Sequence, residues 1–304
     1  MDYRKIQLTG ESTYILSLPK KWVKKNKLDK GDVLSVIERG DNLVLKPREE
    51  KETEAEISLE KKSLELISRS LITKYIQGFD TIVITSKKYI PSEVRAGLKN
   101  ISSLLIGMEQ FGETSNELVF RMLMREKGDV VDTVLRMHMM SLSSLEELLG
   151  NITTENYNEH ILKGIIQRDD EIDKFYFLVL RQLSSTGGYE CGMWVQVAKS
   201  IERISDHIEN IANLVTQGGK VRGKDIEVYK ELIDMYSSLK FALMNKSSKR
   251  ADEIINKVKN FRIKEKRIIE DIREKEPETL LIYESFRRIG EYISDIAEVV
   301  INMT

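Results

Sequence analysis

Cysteine is almost absent. Cys191 stands alone in 304 residues, so no internal disulfide can form, and a reducing cytoplasm is the expected location. Proline occurs only at positions 19, 47, 91 and 277, which leaves long stretches without the residue that breaks helix interiors. There is no apolar run long enough to span a bilayer, and the opening MDYRKIQLTG lacks the apolar centre of a secretory signal. No direct membrane insertion is therefore expected, and any membrane role would pass through a partner. Histidine is limited to His138, His160 and His207, none with an acid three residues before it, which argues against the Glu-x-x-His pairs of a ferritin-like redox centre. Neither sign of charge dominates. Lys and Arg number 48 against 49 Asp and Glu, a soluble, helix-rich composition rather than that of a globally basic nucleic-acid binder.

The charge is unevenly placed. Residues 1–47 carry ten Lys and Arg against six Asp and Glu, whereas the remaining 257 carry 38 against 43, so a small basic head precedes a large acidic body. In the head, STYILSLP alternates apolar and polar residues, and VLSVIERGDNLVLKP is two alternating runs around a Gly-Asp-Asn turn. Between them KKWVKKNKL suits one short helix entered through Pro19. So short a segment buries too little surface to fold well alone, and it is expected to dimerise.

Residues 48–58, REEKETEAEIS, lack apolar periodicity and read as a charged linker or a frayed helix start. A small α/β connecting segment over 59–127 follows, with a helix ending at Gly78, the strand FDTIVIT, a helix from about Pro91 to Gly107, and one or two strands within 108–123. From Gly128 onward apolar residues recur at helical spacing, and six helices are expected over about 128–149, 156–185, 190–217, 225–246, 249–274 and 277–302. The chain then copies itself: SIERISDHIENIANLV (200–215) returns as SFRRIGEYISDIAEVV (285–300), and SLSSLEELL (141–149) is echoed by MYSSLKFAL (235–243). Residues 128–220 and 221–304 are thus two copies of a three-helix unit, expected as two tandem antiparallel three-helix bundles. The expected fold class is multi-domain and mainly α.

The copy keeps its apolar positions and edits its polar ones. Ile201, Ile204, Ile208, Ile211, Ala212 and Val215 form one stripe about 100° wide, while Glu202 becomes Arg287, Asp206 becomes Glu291 and Asn210 becomes Asp295. On the preceding helix Asp169 falls inside the apolar stripe and Asp173 at its edge, a costly place for a carboxylate unless it is paired or metal-bound. Asp169, Asp173, Glu202 and Asp206 would converge if the two helices lie side by side, and an all-oxygen set favours hard cations such as Mg, Mn, Ca or ferric iron. The other reading is a solvated acidic face, or ordinary ion pairs with Arg168 or Arg203.

These residues carry a family likeness. IERISDHIENIANLV resembles the signature helix of the PhoU family of phosphate uptake regulators, and RDDEIDKFYFLVLRQL (168–183) resembles that family's preceding helix. The resemblance covers about 128–304 and implies paired three-helix bundles that bind clusters of metal ions, iron or zinc, through acid-x-x-x-Asp motifs. It implies Asp169, Asp173, Glu202 and Asp206 as ligands, for iron, zinc, manganese or magnesium. The second repeat departs from the pattern: Arg287 stands where a ligand Glu belongs, and Glu291 and Asp295 are crowded by Arg287 and Arg288. That second site reads as degraded or lost.

Residues 3–47 resemble the AbrB/MazE/SpoVT DNA-binding domain, through their early basic residues, the LP before a short helix, and L-x-x-G-D before a closing hairpin. The resemblance implies a swapped-hairpin β-barrel formed between two chains that lays basic residues on DNA. Candidate contacts are Arg4, Lys5, Lys20, Lys21, Lys24 and Lys25; the four lysines share one helix face by their spacing and would track phosphates of duplex DNA. The bland alternative is that they only solubilise the helix and that the head only dimerises the body.

GGKVRGKD (218–225) fits part of a Walker A pattern but follows a helix and ends in Asp225, so it is expected to be a flexible join between repeats. No spacing suggests a catalytic nucleophile, and Met137, Met139 and Met140 are expected to fill the core. The expectation is a non-enzymatic phosphate-uptake regulator with a DNA-binding, dimeric head and a metal-binding body. The alternative is an adaptor that docks on a phosphate transporter ATPase or sensor, its head serving only to dimerise. A carboxylate-bridged metalloenzyme ranks third, because no residue looks like a general base beside an open coordination site.

Overall fold

The computed structural model describes residues 3–10, 12–39, 42–47, 52–60, 62–123, 128–152, 157–184, 188–272 and 277–304. The chain divides into two compact units between Glu52 and Thr53.

In the first unit, β1 (Gln7–Thr9) pairs antiparallel with β2 (Thr13–Ile15), and β3 (Leu34–Arg39) pairs antiparallel with β4 (Asn42–Pro47). The two ladders form separate two-stranded sheets. The short helix α1 (Lys20–Lys25) follows Pro19, whose fixed φ of −64° suits a helix entry. Val23 of α1 lines one cavity together with Leu18, Leu28 and Leu34. Leu8, Tyr14, Val36 and Leu43 are exposed, so two-stranded ladders alone do not bury the unit's apolar side chains. The expected Gly-Asp-Asn turn lies largely outside the described residues.

The second unit opens with β5 (Glu54–Ser58), α2 (Leu64–Ile76), β6 (Thr81–Thr85), α3 (Ser92–Ser102), β7 (Met108–Glu113) and β8 (Glu117–Met122). They build one sheet in the order β5-β6-β8-β7, parallel between β5 and β6 and antiparallel elsewhere. Ile57, Ile82, Ile84, Leu118 and Phe120 point to one side, where they meet Ile67, Leu71 and Tyr75 of α2 and Leu98 of α3. The linker expected over 48–58 is therefore corrected in its described part: residues 54–58 are a strand. The alternation Glu-Ala-Glu-Ile-Ser buries Ala55 and Ile57 and leaves the acids exposed, a pattern too short and too charged to stand out before its partner strand is known. Gly78, at φ 91°, reverses the chain after α2, where Phe79 donates back to the Lys74 carbonyl.

Among the described residues that follow are six long helices: α4 (Val130–Ile152), α5 (Glu159–Ser184), α6 (Tyr189–Thr216), α7 (Gly223–Met244), α8 (Ser248–Ile272) and α9 (Pro277–Asn302). Each presents an apolar stripe at helical spacing, as in Ile201, Ile204, Ile208 and Ile211 of α6. Helices α4–α6 pack on one another, α7–α9 do likewise, and α6 lies along α9. One continuous hydrophobic cluster runs through both triplets, so the two expected bundles share a core instead of holding one each. Ile208 and Ile293, equivalent residues of the two copies, both lie in that shared core. At Gly290 of α9 a Cβ would meet the Phe261 ring of α8 at 3.1 Å, so a larger residue there would have to displace the ring.

The expected flexible join is an anchored connection. Lys220 N–H donates to the Thr279 hydroxyl, Arg222 N–H donates to the Tyr283 hydroxyl, and Gly218 and Gly219 close α6 by donating to Val215 and Leu214 carbonyls. Those backbone amides serve the fold, which removes the phosphate-loop reading. Among the three methionines expected in the core, Met137 is buried and Met140 packs against the cluster, but Met139 is exposed.

Candidate metal centre and nucleic-acid interface

Helices α5 and α6 meet along Ile165, Ile172, Ile201, Ile204 and Ile208, and that packing brings their acids together. One carboxylate oxygen from each of Asp173, Glu202 and Asp206 lies within 4.8 Å of the others. Asp169 stands beside this trio, one turn before Asp173, but outside the group of mutually close oxygens. Burial raises the Asp173 carboxyl to about 7, and neighbouring Asp169, Glu202 and Asp206 push the same way. Asp169 is raised to about 6, again chiefly by burial, with a Ser205 hydrogen bond opposing the rise and Asp206, Glu209 and Glu202 adding to it.

Two cations answer part of this charge. Lys199 donates to Glu202 at 2.5 Å, and Arg203 donates to Asp206 at 2.9 Å. Arg168, one of the two expected neutralisers, turns instead to α4, where it meets Ser144 and Glu147. Lys199 was not singled out in the sequence, although its place three residues before Glu202 is a visible ion-pair spacing. Four carboxylates therefore face two cations; Asp169 Oδ1 and Glu202 Oε2 are buried with no hydrogen-bond partner among the described residues, and Arg203 Nε stands 3.7 Å from Glu202 Oε2. Oxygen donors with an uncompensated charge fit a hard cation; the residues present suit the group they were expected to hold. The expected solvated face is not what surrounds Glu202, which is only 9% exposed.

Asn210, placed on the outer polar face by spacing, instead donates to Ser285 of α9 at 3.0 Å and joins the two copies. In the second copy, Arg287 pairs with Glu284 at 2.7 Å and with Glu291 at 2.5 Å, while Arg288 and Arg262 reach Glu291 at 2.7 and 3.5 Å. Glu265 of α8, buried in the same region, escaped the sequence reading because, beside Glu270 and Asp271 in the highly charged stretch NFRIKEKRIIEDI, it forms no acid-x-x-x-acid pair.

In the head, Lys20, Lys21, Lys24 and Lys25 are all exposed on α1, and Trp22 and Val23 are partly buried on its other side. Arg4 and Lys5 precede β1 and are exposed as well. The six expected contacts thus all reach the surface of this unit.

A helical body whose paired helices hold an acidic cluster, preceded by a small β-rich head with a basic helix, defines the class. Residues 131–215, spanning nearly all of α4–α6, match the PhoU domain family, and residues 7–53 match the family described as antidote-toxin recognition MazE, bacterial antitoxin. Two regions of the chain thus match known families, a PhoU domain over 131–215 and a MazE-type domain over 7–53. It is similar to the phosphate-specific transport system accessory protein PhoU homologs of two Caulobacter vibrioides strains, NA1000/CB15N and CB 15. Each is 28% identical over 127 residues, which are 38% of this chain and 54% of the relative. The match thus spans about half the length of these curated relatives. The crystal structure of PhoU from Pseudomonas aeruginosa shares the fold, with a TM-score of 0.50 and 16% identity over 58% of this chain and 95% of that one. Among the described residues, no helix is long and apolar enough to cross a membrane.

Proposed function

We propose that this protein is a non-enzymatic regulator of phosphate uptake that binds a metal ion between α5 and α6 and contacts DNA through a dimeric head. The observation that carries the metal reading is the convergence of Asp173, Glu202 and Asp206 with more carboxylates than cations around them. Asp173, Glu202 and Asp206 would hold the ion, iron, zinc, manganese or magnesium, with Asp169 beside them. A bound cation would supply the positive charge that Lys199 and Arg203 leave lacking. Ligation requires the raised Asp169 and Asp173 carboxyls to release their protons, so binding would strengthen as pH rises.

For the head, the exposed apolar residues Leu8, Tyr14, Val36 and Leu43 support burial against a second copy, and dimerisation would double the face of four lysines. The naming of the Caulobacter relatives as accessory proteins of a transport system supports a second reading, in which the body docks on a phosphate transporter ATPase or a phosphate sensor. The two readings differ in whether the lysines touch DNA.

Metal content by mass spectrometry, on protein purified without chelators, tests the centre. Wild type is expected to retain iron, zinc or manganese, and the double variant Glu202→Gln, Asp206→Asn to lose most of it. Equal content in both, or a metal-free wild type, would leave the acids as an ion-paired face and sink the metal reading.

A further inference from the structure

The two copies differ by an exchange of charge between equivalent positions of α6 and α9. In α6, Lys199 pairs with Glu202 three residues on; in α9 the equivalent positions hold Glu284 and Arg287, and the same ion pair forms with its signs reversed. Arg203 pairs with Asp206, and its equivalent Arg288 pairs with Glu291, with signs unchanged. The preceding helices correspond too. Asp169 lies four residues after buried Ile165 of α5, and Glu265 lies four after buried Phe261 of α8. The charges acting on them match the exchange: Asp206 and Glu202 act on Asp169, whereas Arg287, Glu284 and Glu291 act on Glu265.

Two further edits follow the same line. The place of Asp173 is taken by buried Ile269, four residues after Glu265. The place of Ser205, which hydrogen-bonds Asp169, is taken by Gly290, where a Cβ would crowd the Phe261 ring at 3.1 Å. Glu265 is 1% exposed, and its Oε1 has no hydrogen-bond partner among the described residues, so an acid is still aimed into the second face. The charge balance nevertheless differs. Among the described residues, Asp169, Asp173, Glu202 and Asp206 have Lys199 and Arg203 as their ion-pair cations, whereas Glu284 and Glu291 pair with Arg287, Arg288 and Arg262, and Glu265 lies in the field of Arg287 and Arg262.

We infer that the Arg287 guanidinium is a built-in cation that takes the role of a metal ion on the second face and excludes one from it. This rests on the metal reading of the first face. Arg287 is therefore the residue that makes the two copies unequal: one face exchanges its cation with solution and the other carries it covalently. A covalent cation cannot dissociate, so the α8–α9 side keeps its packing whatever the metal supply, and only the α5–α6 side responds to it.

Manganese(II) binding, followed by equilibrium dialysis and by the metal-induced rise in melting temperature, tests this in a background where the first face is removed. The background is Glu202→Gln, Asp206→Asn, and into it goes Arg287→Glu. The expected result is that the background binds manganese weakly and that Arg287→Glu tightens binding about tenfold or more. No gain on adding Arg287→Glu, in a protein that melts cooperatively, would overturn the inference. Arg287→Gln in the same background carries the test if Arg287→Glu does not fold, with a smaller gain expected and no gain counting against it. Comparison of wild type with the background reports on the first face alone, so failure of that reading stays separate from failure of this one. Manganese bound by the background and lost on Glu291→Gln would show a second face that takes metal despite Arg287, and would also overturn the inference.

Discussion

Arg181 of α5 donates to the carbonyl oxygen of Tyr75 at 2.7 Å and lies over the same residue's ring, 5.0 Å from its centroid. The same guanidinium donates to the Phe79 carbonyl at 2.9 Å and approaches Asp80 at 3.5 Å. One side chain thus caps the end of α2 and ties the α/β segment to the helical body, with Phe177 packing against the sheet's core from the same helix. The segment over 59–127, expected as a connector, is part of the body's own compact unit.

Arg181→Ala should uncouple that attachment. It removes the guanidinium from the Tyr75 and Phe79 carbonyls and from Asp80, leaving Tyr75 O to its Gly78 N–H donor and Asp80 to its Thr53 hydrogen bonds, at a cost of about 2 kcal/mol. Hydrogen exchange should show earlier opening of residues 64–85 than of α6. Arg181→Lys should recover only part of the loss, because Nη1 serves both carbonyls while Nη2 faces Asp80, and one ammonium lacks that fork. Unchanged exchange over 64–85 would mean that the apolar contact alone holds the segment.

Glu265 sets a pH dependence whose sign follows from its burial. Desolvation holds its carboxyl at about 8, with Glu284 and Glu291 adding to the rise and Arg287 and Arg262 opposing it, while Tyr229 of α7 faces it as a neutral neighbour. The folded protein keeps this proton over a range in which the unfolded chain, near 4.5, has released it. Stability from this group is therefore present below about 4.5 and declines as pH rises towards about 8. Glu265→Gln should flatten the melting temperature between those limits and raise it most at pH 8. A steeper profile in the variant would contradict a protonated Glu265.

Replacement of Lys20, Lys21, Lys24 and Lys25 by Ala should weaken binding to duplex DNA and flatten its salt dependence. Each lysine that neutralises a phosphate contributes about 0.9 to the slope of log K against log salt. Because the effect is on the phosphate backbone, affinity should fall similarly for unrelated sequences. Wild-type affinity and slope in the variant would leave the head as a dimerisation unit and favour the adaptor reading.

Much of the fold was legible because helices write their packing into the sequence at a fixed period. Ile201, Ile204, Ile208 and Ile211 recur every three or four residues, and the second copy preserves the stripe because both copies bury it. Pro277 and Gly218 mark helix limits for equally local reasons, through a fixed φ and a positive φ. The strand at 54–58 was less visible, since its two buried residues have meaning only against Ile82 and Ile84 of a strand more than twenty residues later. The acid cluster was half legible. Helical spacing puts Asp169 near Asp173 and Glu202 near Asp206, but spacing within a helix says nothing about which neighbour faces it.

The sequence by itself determined the helices, their duplication and the edit of one polar face, because all three depend on local periodicity and on residue identity. Tertiary structure alone decided the rest. It set which carboxylates lie within a few ångströms of one another, that Lys199 rather than Arg168 answers Glu202, and that Glu265 of a different helix meets the field of Arg287. Electrostatic energy depends on distance and on exclusion of water, and both are properties of how α5 packs on α6 and α8 on α9, not of either helix alone.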